Sequence, residues 1–194
     1  GKIEKFLGPG YKCIASYGHL QQLENLKSID LQSFEPRFTP LDNKRQQIER
    51  LRQLINTSND VLIATDDDRE GEGIAWHICT LFNLPISTTK RIIFHEITEK
   101  AIKNAVKNPT ILNMNIVFAQ QGRQILDLLV GFKISPMLWQ NISRTKKGLS
   151  AGRCQTPALR LVYDNQKDID NSPGKKVYNT TGYFTEQNLQ YTLN

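Results

Sequence analysis

The sequence predicts an α/β fold in which helices flank a parallel sheet, followed by a mainly helical segment and a terminal β-hairpin. The apolar run 61–64 ends in an acidic turn and leads into a segment of helical periodicity, which is typical of a buried parallel strand followed by a helix. A second strand is predicted at 91–94, where an arginine precedes three apolar residues. Further on, 116–141 has helical periodicity, and two runs within 177–193 alternate around a Glu-Gln-Asn turn, as in a hairpin.

The stretch before the acidic turn predicts three shorter elements. Residues 1–7 end a helix that Gly-Pro-Gly closes, and 11–16 predict a strand. Residues 43–56 predict an amphipathic helix that leads into the strand at 61–64, within a right-handed βαβ unit. Thr98 is the expected N-cap of a further helix that ends near residue 106.

Several apolar side chains are expected to serve packing rather than chemistry. Phe34 and Phe38, in a polar loop, should lie against the core, and Trp76 should pack inside it. The three cysteines have no metal-ligand spacing and are expected to be reduced packing residues of an intracellular protein, at Cys13, Cys79 and Cys154.

Charge is distributed unevenly along the chain. The 194 residues carry 25 Lys and Arg against 19 Asp and Glu, a net charge of +6, and five of those acids lie between positions 66 and 72. A basic chain around one acidic spot is expected of a metal site that acts on a polyanion. No stretch is long or apolar enough to span a membrane, and no signal peptide opens the chain, so we expect an intracellular protein without a membrane partner.

The acidic turn is the strongest candidate site. Asp66, Asp68 and Glu70 alternate, so an extended backbone would aim all three carboxylates in one direction, outside the carboxyl end of a strand. Like charges this close disfavour ionisation unless a cation neutralises them, and hard carboxylate ligands suit Mg²⁺. The sequence therefore predicts a magnesium site formed by these three residues.

Two other interpretations of the acidic turn remain open. The spacing imitates the start of a calcium loop, but the twelfth position is His77 rather than glutamate, and a strand precedes the turn where a helix would be required. Alternatively, the acids could cap a helix N-terminus, where the helix dipole favours carboxylates. Capping accounts for one or two acids, whereas the turn contains five.

The run TDDDREGEGIAWH at 65–77 resembles the TOPRIM signature of type IA DNA topoisomerases. The resemblance implies a TOPRIM-type sheet in which Mg²⁺ is held by the carboxylates of Asp66, Asp68 and Glu70, with Arg69 in the same catalytic centre. A Ser-x-Gly-His segment of the family matches 16–19, which implies that His19 contacts a phosphate near the scissile bond. A local alternative for that histidine is a hydrogen bond to the backbone. The general acid/base glutamate and the lysine of the family would lie outside this sequence.

Two further segments resemble the part of these enzymes that binds DNA. QQGRQILD at 120–127 implies that Arg123 contacts DNA and that Asp127 lies near the nucleotide path. SAGRCQ at 150–155 follows a basic loop and implies backbone phosphate contacts from Ser150, Arg153 and Gln155. A surface ion pair is the local alternative for that arginine. The loop lacks the Gly-Lys-Ser/Thr ending of a P-loop, so no nucleotide cofactor is expected.

The resemblance implies an ATP-independent topoisomerase that relaxes negatively supercoiled DNA through a single-strand break and a 5′-phosphotyrosine. We expect a TOPRIM domain at 1–108 that lacks its first strand, a helical DNA-binding segment at 109–171 and the start of a β-rich part at 172–194. No tyrosine in the chain has the neighbours of the family's nucleophile, so this part alone should be inactive, and a monomer is favoured. Two alternatives remain: another TOPRIM enzyme, primase-like or nuclease-like, and a non-catalytic module that binds single-stranded DNA.

Overall fold

The computed structural model describes residues 1–142, 148–184 and 189–193. These form two compact units, 1–152 and 153–194. The helices are α1 (Lys2–Leu7), α2 (Arg45–Asn56), α3 (Arg69–Leu81), α4 (Glu99–Lys107), α5 (Met114–Asn141) and α6 (Gln155–Asn171). The strands are β1 (Gln21–Gln22), β2 (Thr39–Pro40), β3 (Leu62–Ala64), β4 (Lys90–Ile92), β5 (Thr180–Phe184) and β6 (Leu189–Leu193).

The parallel pair at the centre of the first unit confirms the predicted α/β class. Strand β3 pairs with β4 in parallel, with Ile63 opposite Arg91, and α3 lies between the two strands in the chain. Thr110 forms an antiparallel bridge to Arg91, which places the start of the segment before α5 beside β4. The side chains of Ile63, Ala75 and Val117 lie in one buried cluster, so β3, α3 and α5 share a core.

Most of the predicted helices are present. Helices α1, α2, α3 and α4 lie where periodicity indicates them, and Thr98 caps α4 by accepting a hydrogen bond from the N–H of Ala101 at 3.2 Å. Helix α5 begins two residues earlier than predicted, because Asn113 caps it and accepts from the N–H of Asn115 at 3.1 Å. None of the helices in the described ranges is long and apolar enough to cross a membrane.

The predicted strand at 11–16 is wrong. This segment has extended-type irregular backbone but pairs with no strand among the described residues. It lies across a cavity of about 330 Å³ from β3, and the cavity is lined by both segments and by α2. A strand exists only where a neighbour satisfies its backbone N–H and C=O groups. Within the described chain, β3 pairs with β4 alone.

Predictions for single apolar side chains are confirmed in part. Phe38 packs edge-on against Trp76, with ring centroids 5.5 Å apart, and Trp76 borders the buried cluster. The prediction for Phe34 is wrong, because this side chain is 54% exposed; its φ of 58° lies in the left-handed region. Cys79 is buried as expected, whereas Cys13 and Cys154 are exposed.

The second unit consists of α6 and an antiparallel hairpin. Strands β5 and β6 pair from Thr180 opposite Leu193 to Phe184 opposite Leu189, which confirms the predicted hairpin. The predicted turn at 186–188 lies outside the described residues. The first compact unit extends to residue 152, past the boundary expected at residue 108, because α5 packs on α3. The division into domains at 108 and 171 stays a prediction.

Candidate metal and DNA-binding site

The acidic turn joins the end of β3 to the first turn of α3. Asp68 is the N-cap of α3, with extended backbone at φ −145°, and its Oδ1 accepts a hydrogen bond from the N–H of Gly71 at 2.7 Å. This bond satisfies one of the free N–H groups that begin every helix. The dipole of α3 also favours the negative charge there. The capping interpretation is therefore correct for Asp68 alone.

Gly71 is required by the close approach of α3 to the turn. A Cβ at this position would lie 2.1 Å from the backbone oxygen of Asp66, a distance that no side chain can tolerate. Because the obstacle is backbone, it cannot rotate away. The glycine thus allows Asp66 to stand directly against the N-terminal turn of the helix.

A buried ion pair between Arg91 and Glu72 holds the acidic turn in place. Arg91 on β4 is 2% exposed, and its Nη1 donates to Glu72 Oε1 at 3.0 Å. The same guanidinium donates from Nε to Thr65 Oγ1 at 2.9 Å and from Nη2 to the backbone oxygen of Asp66 at 2.6 Å. Glu72 Oε2 accepts from the N–H of Asn113 at 3.4 Å. These contacts connect β4, the turn, α3 and the start of α5.

Glu70 does not continue the extended alternation predicted for the three metal-binding carboxylates. Helix α3 begins at Arg69, so the extended alternation ends at Asp68 and Glu70 points from a helical turn. Its Oε2 lies 3.3 Å from His19 Nε2 and 3.3 Å from Gln120 Nε2. Across residues 1–142, 148–184 and 189–193, no three or more His, Cys, Asp or Glu side chains are grouped to hold a metal ion.

Asp66 and Asp68 nevertheless fit a divalent cation. Both are exposed, and in the part of the chain that the structure describes neither forms an ion pair with a lysine or an arginine. Hard carboxylate oxygens at an open site suit Mg²⁺, which keeps several waters and uses one or two carboxylates beside substrate phosphates. The arrangement thus fits an open site at Asp66 and Asp68, and the predicted part of Glu70 in metal binding stays a prediction.

Two histidines lie against each other, and one of them, His19, contacts Glu70. His77 on α3 is 1% exposed, and its ring centroid is 5.4 Å from that of His19 and 4.6 Å from that of Phe38. Burial, and after it the proximity of His19, lowers the pKa of His77 to about 4, so its ring is neutral at physiological pH. His19 follows Gly18, whose φ of +90° is a conformation that favours glycine. The hydrogen bond of His19 is to Glu70 rather than to backbone.

The predicted DNA-binding residues fall in both units. On α5, Arg123 Nε lies 3.7 Å from Asp127 Oδ2, one turn along the helix. The segment that contains Ser150 runs beside the second half of α5, where the N–H of Ala151 donates to Ser135 Oγ at 3.1 Å. Arg153 and Gln155 belong to the second unit, at the start of α6. Arg69 lies exposed in the first turn of α3.

Sequence reasoning missed three residues that organise the site. Arg91, Glu72 and Gln120 are all buried polar residues that bond to the acidic turn or to each other. In the sequence, Glu72 counted only as one of the five acids of the turn, and Arg91 only as the first residue of a predicted strand. The available signal was Gly71 and Gly73, since glycines inside a helix indicate a close neighbour.

Comparison with known proteins agrees with this architecture. The Toprim domain model matches residues 1–97, and a DNA topoisomerase model matches residues 111–192. Full-length topoisomerase I from Thermotoga maritima has a solved structure that matches the whole chain at 40% sequence identity with a TM-score of 0.76. The fold and the acidic turn thus define a Toprim domain. The DNA topoisomerase match begins shortly after the Toprim match along the same chain. The chain therefore belongs to the type IA DNA topoisomerase family. It spans 32% of the Thermotoga protein.

Proposed function

We propose that this chain provides the magnesium site and part of the DNA-binding surface of an ATP-independent type IA topoisomerase that relaxes negatively supercoiled DNA. The observation that carries the proposal is the pair of exposed carboxylates, Asp66 and Asp68, at the carboxyl end of β3 in a chain of this family. The match of residues 111–192 to a DNA topoisomerase model supports this function over a primase-like or nuclease-like Toprim enzyme. DNA as the substrate also favours an intracellular location, and no nucleotide cofactor is required.

The proposed reaction exchanges one phosphodiester bond for another. A tyrosine oxygen bonds to the phosphorus, the 3′-hydroxyl leaves, and a 5′-phosphotyrosine holds the broken strand until the hydroxyl attacks in return. The six tyrosines of this chain lack the neighbours of the family's nucleophile, so we assign that residue to the rest of the protein. Neither direction consumes ATP, because the bond energy is conserved.

The residues of this chain would position the phosphate rather than react with it. Mg²⁺ bound by Asp66 and Asp68, with the Glu70 carboxylate assisting, would supply positive charge against the phosphate oxygens. Arg69, exposed at the N-terminus of α3, is proposed to contact the DNA backbone. In the first unit, Arg123, oriented by Asp127, is proposed to hold a backbone phosphate, with Ser150 in support. In the second unit, Arg153 is proposed to hold a phosphate of single-stranded DNA, with Gln155 in support.

The test is relaxation of negatively supercoiled plasmid by the full reading frame that contains these residues. With Mg²⁺ and without ATP we expect relaxation, and the Asp66→Ala/Asp68→Ala variant should lose it by at least about 100-fold while still binding single-stranded DNA. Asp42→Ala, at an exposed aspartate that forms an ion pair with Arg45, is the matched control and should relax plasmid normally. Full relaxation by the double variant would contradict the metal role. DNA binding without relaxation by the unchanged protein would favour a non-catalytic binding module.

A separate binding measurement tests the arginines. Arg153→Ala should weaken binding of single-stranded DNA and reduce the slope of log K against log salt by about 0.7, because one phosphate contact is lost. Lys107→Ala, at the exposed end of α4, should leave the slope unchanged. An unchanged slope in Arg153→Ala would remove that residue from the DNA-binding surface.

A further inference from the structure

We propose that Gln120 on α5 is a positioning residue for Glu70, and that it turns one defined carboxylate oxygen of Glu70 toward cation and DNA. The inference rests on the proposed function. It concerns a contact between the Toprim domain and the helix that follows it, and Gln120 itself need not touch metal or substrate.

Gln120 and His19 converge on the same oxygen. Gln120 Nε2 donates to Glu70 Oε2 at 3.3 Å, and His19 Nε2 also lies 3.3 Å from that oxygen. Within the described residues Oε1 of Glu70 accepts no hydrogen bond. The Glu70 side chain is 48% exposed, so without these partners it could adopt several rotamers. Held at Oε2, it presents Oε1 to an incoming group.

Helix α3 has a glycine, Gly73, at the point where Gln120 packs against it. A Cβ on Gly73 would be 2.8 Å from Gln120 Cδ and 2.9 Å from Gln120 Oε1. Glycine in the middle of a helix costs about 1 kcal/mol relative to alanine. Here Gly73 leaves the space that the Gln120 amide needs to reach Glu70, which lies one helical turn before Gly73.

The burial of Gln120 is unfavourable in itself. Its side chain is fully buried, and within the described chain Oε1 has no hydrogen-bond partner. An unsatisfied buried acceptor destabilises the fold, whereas an apolar residue of similar shape can be neutral or stabilising. A glutamine at this position is therefore better explained by what it does to Glu70 than by packing.

The position of Gln120 on α5 also relates Glu70 to the DNA-binding residues. Arg123 and Asp127 follow at i+3 and i+7, so the three side chains share one stripe of the helix. A rotation or shift of α5 that moved this stripe would also move the donor to Glu70. The contact between Gln120 and Glu70 thus couples the position of the Glu70 carboxylate to the position of the DNA-binding residues on α5.

The experiment measures Mg²⁺ binding to the 194-residue chain by titration calorimetry, together with its melting temperature. Gln120→Met, which keeps the shape and removes the donor, should weaken Mg²⁺ binding about 10-fold and leave the melting temperature equal or higher. Gln121→Met is the matched control, since Gln121 is also buried on α5 but does not contact Glu70. It should bind Mg²⁺ as the unchanged chain does.

Two further variants separate positioning from packing. Gly73→Ala should reproduce the weaker Mg²⁺ binding without any change at Gln120, because the added methyl displaces the amide. In a Glu70→Gln background, Gln120→Met should have no additional effect on Mg²⁺ binding. If Gln120→Met melts earlier and binds Mg²⁺ normally, or if the two losses simply add, Gln120 is only a packing residue and the inference is overturned.

The same variants in the full reading frame distinguish this inference from the proposed function. Gln120→Met should shift the Mg²⁺ concentration for half-maximal relaxation upward by about 10-fold. Normal relaxation at the usual Mg²⁺ concentration would overturn the inference and leave the topoisomerase proposal intact. Absence of Mg²⁺ binding by the unchanged chain would overturn the proposed metal site and this inference with it.

Discussion

At the scale of single residues, the acidic turn depends on how closely two backbones approach. Gly71 allows Asp66 to lie against α3, and Asp68 turns one carboxylate oxygen inward to cap that helix. The residue that carries charge and the residue that permits its placement are therefore different. A variant at the glycine changes the site without altering any carboxylate.

We predict that Gly71→Ala lowers the free energy of unfolding by about 1–3 kcal/mol or more, because the new methyl would overlap the backbone oxygen of Asp66. Denaturant unfolding of the 194-residue chain measures the change. Gly122→Ala is the control: it lies in α5 with no atom within 4 Å of an added Cβ, and should be neutral or stabilise by up to about 1 kcal/mol. Equal stability of the two variants would contradict the close approach.

At the scale of elements, one arginine connects strand, turn and helix. Arg91 leaves β4 and bonds to Glu72 of α3, while its other nitrogens bond to the turn at Thr65 and Asp66. The pair is almost completely buried, so each charge depends on the other. Position 91 thus couples the register of β4 to the placement of the metal-binding carboxylates.

We predict that Arg91→Met costs about 3–5 kcal/mol of unfolding free energy, because Glu72 is left as a buried charge without its partner. The double variant Arg91→Met/Glu72→Met should be more stable than Arg91→Met alone, since no charge remains buried. Chemical denaturation of the three proteins checks both statements. Lys90→Met serves as control: it breaks the exposed pair with Asp60 and should change stability little. A small loss in Arg91→Met would mean that water reaches Glu72.

At the scale of the whole molecule, stability and charge are linked through pH. The folded state holds His77 in a neutral, apolar environment among Phe38 and Trp76. Its pKa is about 4 when folded and 6.5 in the reference state, so the unfolded chain takes up a proton that the folded chain refuses in this range. Protonation therefore favours unfolding in acid.

We predict that the contribution of His77 to the free energy of unfolding is constant above pH 6.5 and falls as the pH decreases from 6.5 toward 4, by about 3 kcal/mol at most. Urea unfolding at several pH values measures the slope. His77→Phe should flatten it across this window. His95→Gln, at a side chain that is 80% exposed, should leave it unchanged. A slope that persists in His77→Phe would assign the pH dependence to other groups.

The local part of the fold follows from local patterns. The apolar run before the acidic turn predicts β3, the periodicity behind it predicts α3, and the threonine before α4 predicts its cap. These features depend on residues within a few positions of each other, where backbone geometry and capping decide the outcome. The predicted strand at 11–16 failed for the opposite reason, since a strand requires a partner from elsewhere in the chain.

The sequence by itself determined the family, the acidic turn and the helices around it. Only the tertiary structure decided which acids face solvent and which are bound from within. Glu72 pairs with an arginine 19 residues away, and Glu70 bonds to side chains 50 and 51 residues away, so that the two glutamates of one motif have different roles. Local periodicity sets the direction in which a side chain leaves the backbone. Which group the side chain contacts depends on how β4 and α5 pack against α3 in the common core.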